Sequence, residues 1–166
     1  MRFAYADPPY LGQGRKHYGA HHPDADDCDN PDWHRDLIVR LSDDYPDGWA
    51  LSCSTPSLVT LLPMCPRDIR IASWVKPFAV FKPNVNPAYA WEPVLFRGGR
   101  KRTRKDPTAR DWHSENITMK KGLPGAKPPG FSLWILQLLN VRADMEDTID
   151  DLFPGTGSVL AAWRAA

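Results

Sequence analysis

The chain opens on a short apolar run, Phe3-Ala4-Tyr5-Ala6, that stops at Asp7-Pro8-Pro9-Tyr10, and no other stretch constrains the fold as tightly. Each proline fixes φ and neither can donate to a ladder, so the run reads as a buried strand with a rigidly set C-terminal end. Asp7 and the Tyr10 ring are held at that end. In an open α/β sheet, ligands are met outside the carboxyl ends of the strands. The tetrapeptide suits an amino group on a planar ring: Asp7 and the Pro8 carbonyl can each accept one amino hydrogen, and Tyr10 can stack on the ring.

A second pattern lies near the other end. Asp147 to Phe153 reads as a strand running into Pro154-Gly155-Thr156-Gly157-Ser158, and Val159 to Trp163 as a helix. A strand, a glycine turn and a helix start bring backbone N–H groups close to a ligand. No Lys-Ser/Thr follows the last glycine, so this is not a phosphate-binding P-loop. Upstream, Lys127-Pro128-Pro129 precedes an apolar helix, Phe131 to Leu139.

The tetrapeptide resembles the Asp/Asn/Ser-Pro-Pro-Tyr/Phe/Trp motif of the amino-methyltransferases of nucleic acids, in which an initial Asp is typical of members that methylate N6 of adenine. Asp151-Leu152-Phe153-Pro154-Gly155-Thr156-Gly157 is similar to that family's Asp-x-Phe-x-Gly-x-Gly loop, which cradles the methionine end of S-adenosylmethionine, and Lys127-Pro128 looks like its Lys-Pro motif. With the tetrapeptide first and the glycine loop last, the order resembles the permuted, beta-type class, where a target-recognition segment lies between the two. Trp91 to Phe96 with Gly98-Gly99, and Arg110-Asp111-Trp112, look like features of small phage-type adenine methylases.

The resemblance implies catalysis by Asp7, Pro8, Pro9 and Tyr10. It implies cofactor binding by Lys127, Pro128, Asp151, Phe153, Gly155, Thr156 and Gly157, with DNA as partner and restriction-modification as the setting. Two other readings stay open, a non-catalytic nucleic-acid-binding relative and an RNA adenine N6-methyltransferase.

Composition sets the limits of these readings. A chain of 166 residues with 42% hydrophobic and 25% charged residues is expected to be one domain, 1–166, with a proper core. A net charge of +1 excludes a uniformly basic nucleic-acid binder and leaves room for a local basic patch. Cys28, Cys53 and Cys65 show no Cys-x-x-Cys spacing, and neither a signal peptide nor a membrane-spanning apolar run is evident. The expectation is a cytoplasmic protein of a bacterial or phage-infected cell, with free thiols.

Leu11 to Asn30 reads as a polar loop able to fold over bound substrate. The spacing of its His17, His21, His22 and Cys28, with His34 beyond, fits no standard zinc site. Asn30-Pro31 then caps a helix carrying Trp33, Leu37, Ile38 and Leu41 at helical spacing, and Ser54-Thr55-Pro56 caps a second. Strands are expected at Trp49 to Cys53, Ile69 to Val75 and Ala90 to Phe96. Glu92, an acid inside the last of these, needs a partner, either a hydrogen bond to an active-site loop or a structural ion pair.

The rhythm predicts a small Rossmann-like α/β sheet of about five strands, mostly parallel, with helices on both faces. It lacks the two strands that in the family normally follow the cofactor loop, which leaves one sheet edge exposed. Three alternatives follow: a second chain, like or unlike, covers that edge, the cofactor is held with reduced affinity, or the protein no longer catalyses.

From Arg97 the composition shifts. Arg97, Arg100, Lys101, Arg102, Arg104, Lys105 and Arg110 are offset by a single acid, Asp106. Such a cluster is the footprint of phosphate contact, and 97–117 is read as a basic target-recognition insertion. Trp112 to Asn116 offers side chains able to stack on bases or hydrogen-bond to them, and Phe78, Phe81, Lys82 and Asn84 are further candidates to face nucleic acid.

Overall fold

Side-chain alternation along β1 (Arg2–Ala6) decides the layering: Phe3 and Tyr5 enter one core, Ala4 and Ala6 the other, and all four are buried. A strand buried on both faces needs helices on both sides of its sheet. The computed structural model describes residues 1–18, 25–78, 83–117 and 126–165 and shows that arrangement. After β1 come α1 (Gly14–Tyr18), α2 (Pro31–Asp44), β2 (Gly48–Ser52), α3 (Thr55–Leu61), β3 (Arg70–Val75) and β4 (Trp91–Gly98). The chain continues through β5 (Trp112–Ser114), α4 (Pro129–Leu139), β6 (Thr148–Asp151) and α5 (Ser158–Arg164).

The strands form one sheet in the order β5-β3-β4-β2-β1-β6. β1 pairs in parallel with β2 and β6, and β3 with β5, whereas β4 is antiparallel to both its neighbours. Five strands therefore run one way and β4 alone is reversed. The strand beyond the expected five is β5, whose three residues are too few to show an alternating pattern.

The caps are those the sequence announces. Asn30 Oδ1 accepts from the Asp32 N–H at 3.0 Å and Pro31 takes the first turn of α2. Ser54 Oγ accepts from the Ser57 N–H at 3.2 Å at the start of α3. α2 and α3 close one face through Leu37, Ile38, Leu41 and Leu61 against Ala4, Ala6, Trp49 and Leu51. On the other face α4 lays Phe131, Trp134, Ile135 and Leu139 against Phe3, Tyr5, Trp74 and Phe96, and α5 adds Val159. Among the described residues no helix is long and apolar enough to cross a membrane.

The basic segment leaves from the amino edge of the sheet, because the reversed β4 ends with Gly98 opposite Gly48, the first residue of β2. There the loop is tied down. Arg97 Nε bonds Asp68 at 2.9 Å, Arg100 Nε bonds the fully buried Asp147 carboxylate at 3.1 Å, and Arg102 donates to the Gln137 carbonyl near the end of α4. The chain then returns along β5 towards the carboxyl edge.

Ile135 is wholly buried between α4 and the sheet, away from both edges. Ile135→Ala is expected to destabilise the protein by about 2–5 kcal/mol. Urea unfolding checks it, with a lower midpoint at unchanged slope as the expected result.

Candidate active site

All the parallel strands end at one edge of the sheet, and the polar residues gather there. Asp7 follows β1, Lys76 follows β3, Asp151 closes β6, and Lys127 lies just before α4. Reversal of β4 places its beginning at this edge too, which delivers Glu92. Tyr5 stands opposite Asp151 in the register of β1 and β6, so Asp7 and the glycine turn leave from adjacent strand ends. The chain departs from β1 through α2 on one face and from β6 through α5 on the other, which makes the crevice between these strands a topological switch point.

Lys127 is the centre of the cluster. Its ammonium lies 3.1 Å from Asp7 Oδ1 and 3.3 Å from Glu92 Oε2, and it donates to the Tyr10 hydroxyl at 2.8 Å. The rings of Tyr10, Trp74 and Phe131 surround it at 5.2, 5.4 and 5.7 Å from their centroids. The Tyr10 hydroxyl in turn donates to Glu92 Oε2 at 2.7 Å, with Asp7 Oδ1 at 3.3 Å. Lys76 closes the set with a 2.8 Å bond to Glu92 Oε1. Two cations thus meet two carboxylates, and the cluster is neutral with every member ionised.

Burial and charge pull the two acids apart. Burial raises the proton affinity of Asp7, Lys127 counteracts it and Glu92 adds to it, for a net rise above the ordinary aspartate value. Burial would raise Glu92 as well, but Lys127 and Lys76 together outweigh it and bring its pKa down to about 2. Lys127 is lowered by burial and raised by more by Asp7 and Glu92, so it stays protonated. Asp7 is accordingly the carboxyl group poised to exchange a proton.

Beside this cluster lies the turn Leu152 to Gly157. Asp151 Oδ1 is shut off from solvent with no hydrogen-bond partner, and burial pushes this carboxyl up to about 6. Gly155 and Gly157 adopt φ of +46° and +70°, a region that side chains with a Cβ disfavour. Around Gly157 a Cβ would meet nothing within 4 Å, so the turn faces open space. Phe153 anchors the turn through an edge contact with Trp33 of α2, centroids 6.0 Å apart, while Thr156 is exposed. Pro8, Pro9 and Pro128 are buried and set the backbone on either side.

The structure thus brings together Asp7, Pro8, Pro9, Tyr10, Lys127, Pro128, Asp151, Phe153, Gly155, Thr156 and Gly157. It adds Glu92 and Lys76. The signal for these two was the stretch between β3 and β4, which holds no apolar helical pattern: without a crossover helix, successive strands pair antiparallel and β4 must start where β3 ends. Lys101, Arg104, Lys105, Arg110 and Trp112 are exposed, and the Arg110 guanidinium lies 5.2 Å over the Trp112 ring. His113 and Glu115 face inwards: Glu115 accepts from the Phe131 N–H at 3.0 Å and from His113 Nε2 at 2.9 Å, which fixes the start of α4. Asn116 accepts from the Phe78 N–H at 3.0 Å, whereas Phe81 and Lys82 lie outside the described residues.

His34 is buried in α2 with Nε2 2.8 Å from the Cys28 carbonyl, and His21 and His22 lie outside the described residues. Among the described residues no group of three or more His, Cys, Asp or Glu side chains is arranged to hold a metal ion.

Neither a protein-family description nor a curated protein sequence matches the chain. Its fold does match solved structures. The crystal structure of the M1.HpyAVI–SAM complex aligns with a TM-score of 0.58 at 13% identity, over 99% of this chain and 77% of that one. TTHA0409 of Thermus thermophilus, named as a DNA modification methylase, aligns at 0.53 and 17% identity, over 98% and 75%. At these identities the likeness is one of fold: the mixed α/β sheet is an architecture shared with these proteins.

Glu92 carries a prediction about acid stability. Its folded pKa of about 2 lies below the ordinary 4.5, so its stabilising contribution is complete above 4.5 and is lost as pH falls from 4.5 to 2. Asp7, raised on folding, changes in the opposite sense. Urea unfolding at a series of pH values is expected to show wild type losing stability across that window more steeply than Glu92→Gln.

Proposed function

We propose that the chain transfers a methyl group from S-adenosylmethionine to the N6 amino group of adenine in DNA. The observation that carries this is the register of β1 and β6, which sets an amine-accepting carboxyl and an open glycine turn at neighbouring strand ends. The M1.HpyAVI–SAM complex, built on the same fold, supports the choice of cofactor, and TTHA0409 the choice of DNA. The residues present fit such a ligand. The unpartnered Asp151 Oδ1 suits an ammonium group, and the turn at Gly155, Thr156 and Gly157 offers backbone N–H groups and room. Phe153 steadies that turn, and Lys127 and Pro128 border the same edge at the start of α4.

When bound, the cofactor supplies a methyl group made electrophilic by its sulfonium. The chain supplies the rest. Lys127 and the Tyr10 hydroxyl approach Asp7 at Oδ1, which leaves Oδ2 to accept one hydrogen of the adenine amine while the Pro8 carbonyl accepts the other. Tyr10, Pro8 and Pro9 give the base a flat, rigid seat once it is out of its stack. As the nitrogen takes the methyl carbon and the carbon–sulfur bond breaks, the nitrogen sheds a proton, and Asp7, with its raised affinity, takes it.

The basic segment enters the proposal as a phosphate-binding surface that positions the nucleic acid without reading its sequence. Lys101, Arg104, Lys105 and Arg110 are its exposed cations, Trp112 its stacking ring, and Arg97, Arg100 and Arg102 hold the loop in place. β6 has no neighbour on its outer side among the described residues, and a second chain adding a strand there remains part of the proposal.

Asp7→Ala is expected to retain S-adenosylmethionine binding by calorimetry and to lose methyl transfer to an adenine-containing duplex by at least about a hundredfold. Gly157→Val is expected to lose the binding itself, because valine resists a φ of +70°. Wild-type turnover in the first variant, or wild-type binding in the second with the fold intact, refutes the assignment.

Neutralising Lys101, Arg104 and Lys105 together is expected to weaken binding of all duplexes alike. The slope of log affinity against log salt should flatten by about 0.9 per lost phosphate contact. Titration of one duplex at several salt concentrations checks it, and equal slopes remove this loop from the interface.

A further inference from the structure

Glu92 belongs to neither of the sequence motifs that point to this site, yet it makes the shortest hydrogen bond of the cluster. Its Oε2 receives the Tyr10 hydroxyl at 2.7 Å and stands 3.3 Å from the Lys127 ammonium, while its Oε1 is held by Lys76 at 2.8 Å. The same two donors stand at 3.1 and 3.3 Å from Asp7 Oδ1. Every group able to saturate Asp7 from inside the protein is therefore divided between two carboxylates.

From this geometry we infer that Glu92 is a positioning residue: a competing carboxylate that draws the Tyr10 hydroxyl and part of the Lys127 ammonium away from Asp7, leaving Asp7 able to accept an amine.

The inference rests on the proposed amine-accepting role of Asp7. Without Glu92, the side chain of Lys127, only 6% exposed, has one anionic partner left and closes on Asp7. The Tyr10 hydroxyl, relieved of its 2.7 Å acceptor, turns the same way. Asp7 then carries two strong internal donors and a full counter-charge, and its affinity for a proton or an amino hydrogen falls. Lys76 supports the device from the far side, because its bond to Oε1 keeps Glu92 ionised. The groups facing Asp7 are Lys127, Glu92 and Tyr10, with Tyr5 beside it on β1, Asp151 on β6 and Cys53 after β2. Of these, Glu92 raises the Asp7 proton affinity whereas Lys127 and the Tyr10 hydroxyl lower it, so removing Glu92 and removing the hydroxyl have opposite signs.

The test follows the Asp7 carboxyl by carbon-13 NMR titration in the full-length protein, for wild type, Glu92→Gln, Glu92→Asp and Tyr10→Phe. The pH dependence of methyl transfer from S-adenosylmethionine to an adenine-containing duplex is measured alongside. In Glu92→Gln the Asp7 midpoint is expected to shift down, the acidic limb of the rate profile to follow it, and kcat to drop by about a hundredfold with cofactor binding unchanged. Glu92→Asp, which keeps the charge, brings the midpoint back towards wild type. Tyr10→Phe shifts it up.

A midpoint that stays put or rises in folded Glu92→Gln overturns the inference. If that variant does not fold, Tyr10→Phe decides alone, and an unmoved or lowered midpoint overturns it. Loss of methyl transfer in wild type refutes the proposed function and leaves the NMR result to decide on Glu92.

Discussion

One buried ammonium organises the carboxyl edge of this protein. Taking a lysine out of water costs several kcal/mol, and a single carboxylate seldom returns all of it. Lys127 has two carboxylates, each within 3.3 Å, a tyrosine hydroxyl at 2.8 Å and three aromatic faces. At the effective dielectric usual near a protein surface, each such ion pair is of order 5 kcal/mol before desolvation is subtracted. Two pairs with one hydroxyl tip the balance, and four separate segments become mutually dependent: the end of β1, the start of β4, the residue before α4 and, through Lys76, the end of β3. The aromatic walls come from the same core, since Trp74 and Phe131 pack on each other at 5.2 Å. The site and the α4 face of the core are therefore one mechanical unit.

Reversal of β4 is what makes the cluster possible. In a purely parallel sheet, a strand contributes only its last residues to the carboxyl edge. Here β3 turns back directly into β4, with Val75 paired to Trp91 and Trp74 to Glu92, so the first residues of β4 reach the same edge as the last of β1 and β3. The pleat does the remainder. Trp74 and Glu92 share the α4 side, where Lys127 descends, whereas Trp91 projects to the opposite face beside Trp112. A shift of register by one residue would send Glu92 to that far face and leave Lys127 with Asp7 alone.

Much of this was legible in the chain. The helix starts at Asn30-Pro31 and Ser54-Thr55-Pro56 could be read because a cap is a local event, decided by residues within one turn of each other. The strand ends at Asp7 and Asp151 could be read because proline and glycine restrict or free the backbone wherever they occur. Strand direction is different: apolar alternation is the same in a parallel and an antiparallel strand, so nothing inside Trp91 to Phe96 revealed that it ran backwards. For the same reason Glu92 was recognisable as an acid in need of a partner but not as a neighbour of Asp7, 85 residues away by number and joined to it only through Lys127 and Tyr10. The basic run shows the converse limit. Composition counts charges without their partners, and Arg97 and Arg100 prove to be engaged with Asp68 and the buried Asp147.

Those partners also divide labour between the two edges. Asp147, wholly buried, takes Arg100 and the Arg142 N–H at the amino edge, and Asp106 takes Arg142, so each fixed arginine answers a specific acid. The exposed cations that remain, Lys101, Arg104 and Lys105, project from a loop anchored on both sides. The two edges are separated by the length of β1, five residues or roughly 16 Å at the usual rise per residue. On the proposed function, a nucleic acid with one base drawn out to Asp7 would meet these cations through phosphates some distance along its backbone. Neutral chemistry at one edge and net positive charge at the other is a physically consistent arrangement. A free cation beside Asp7 would quench the carboxyl that must accept the amine, whereas phosphate attraction in water still acts across a Debye length of about 8–10 Å and tolerates that separation.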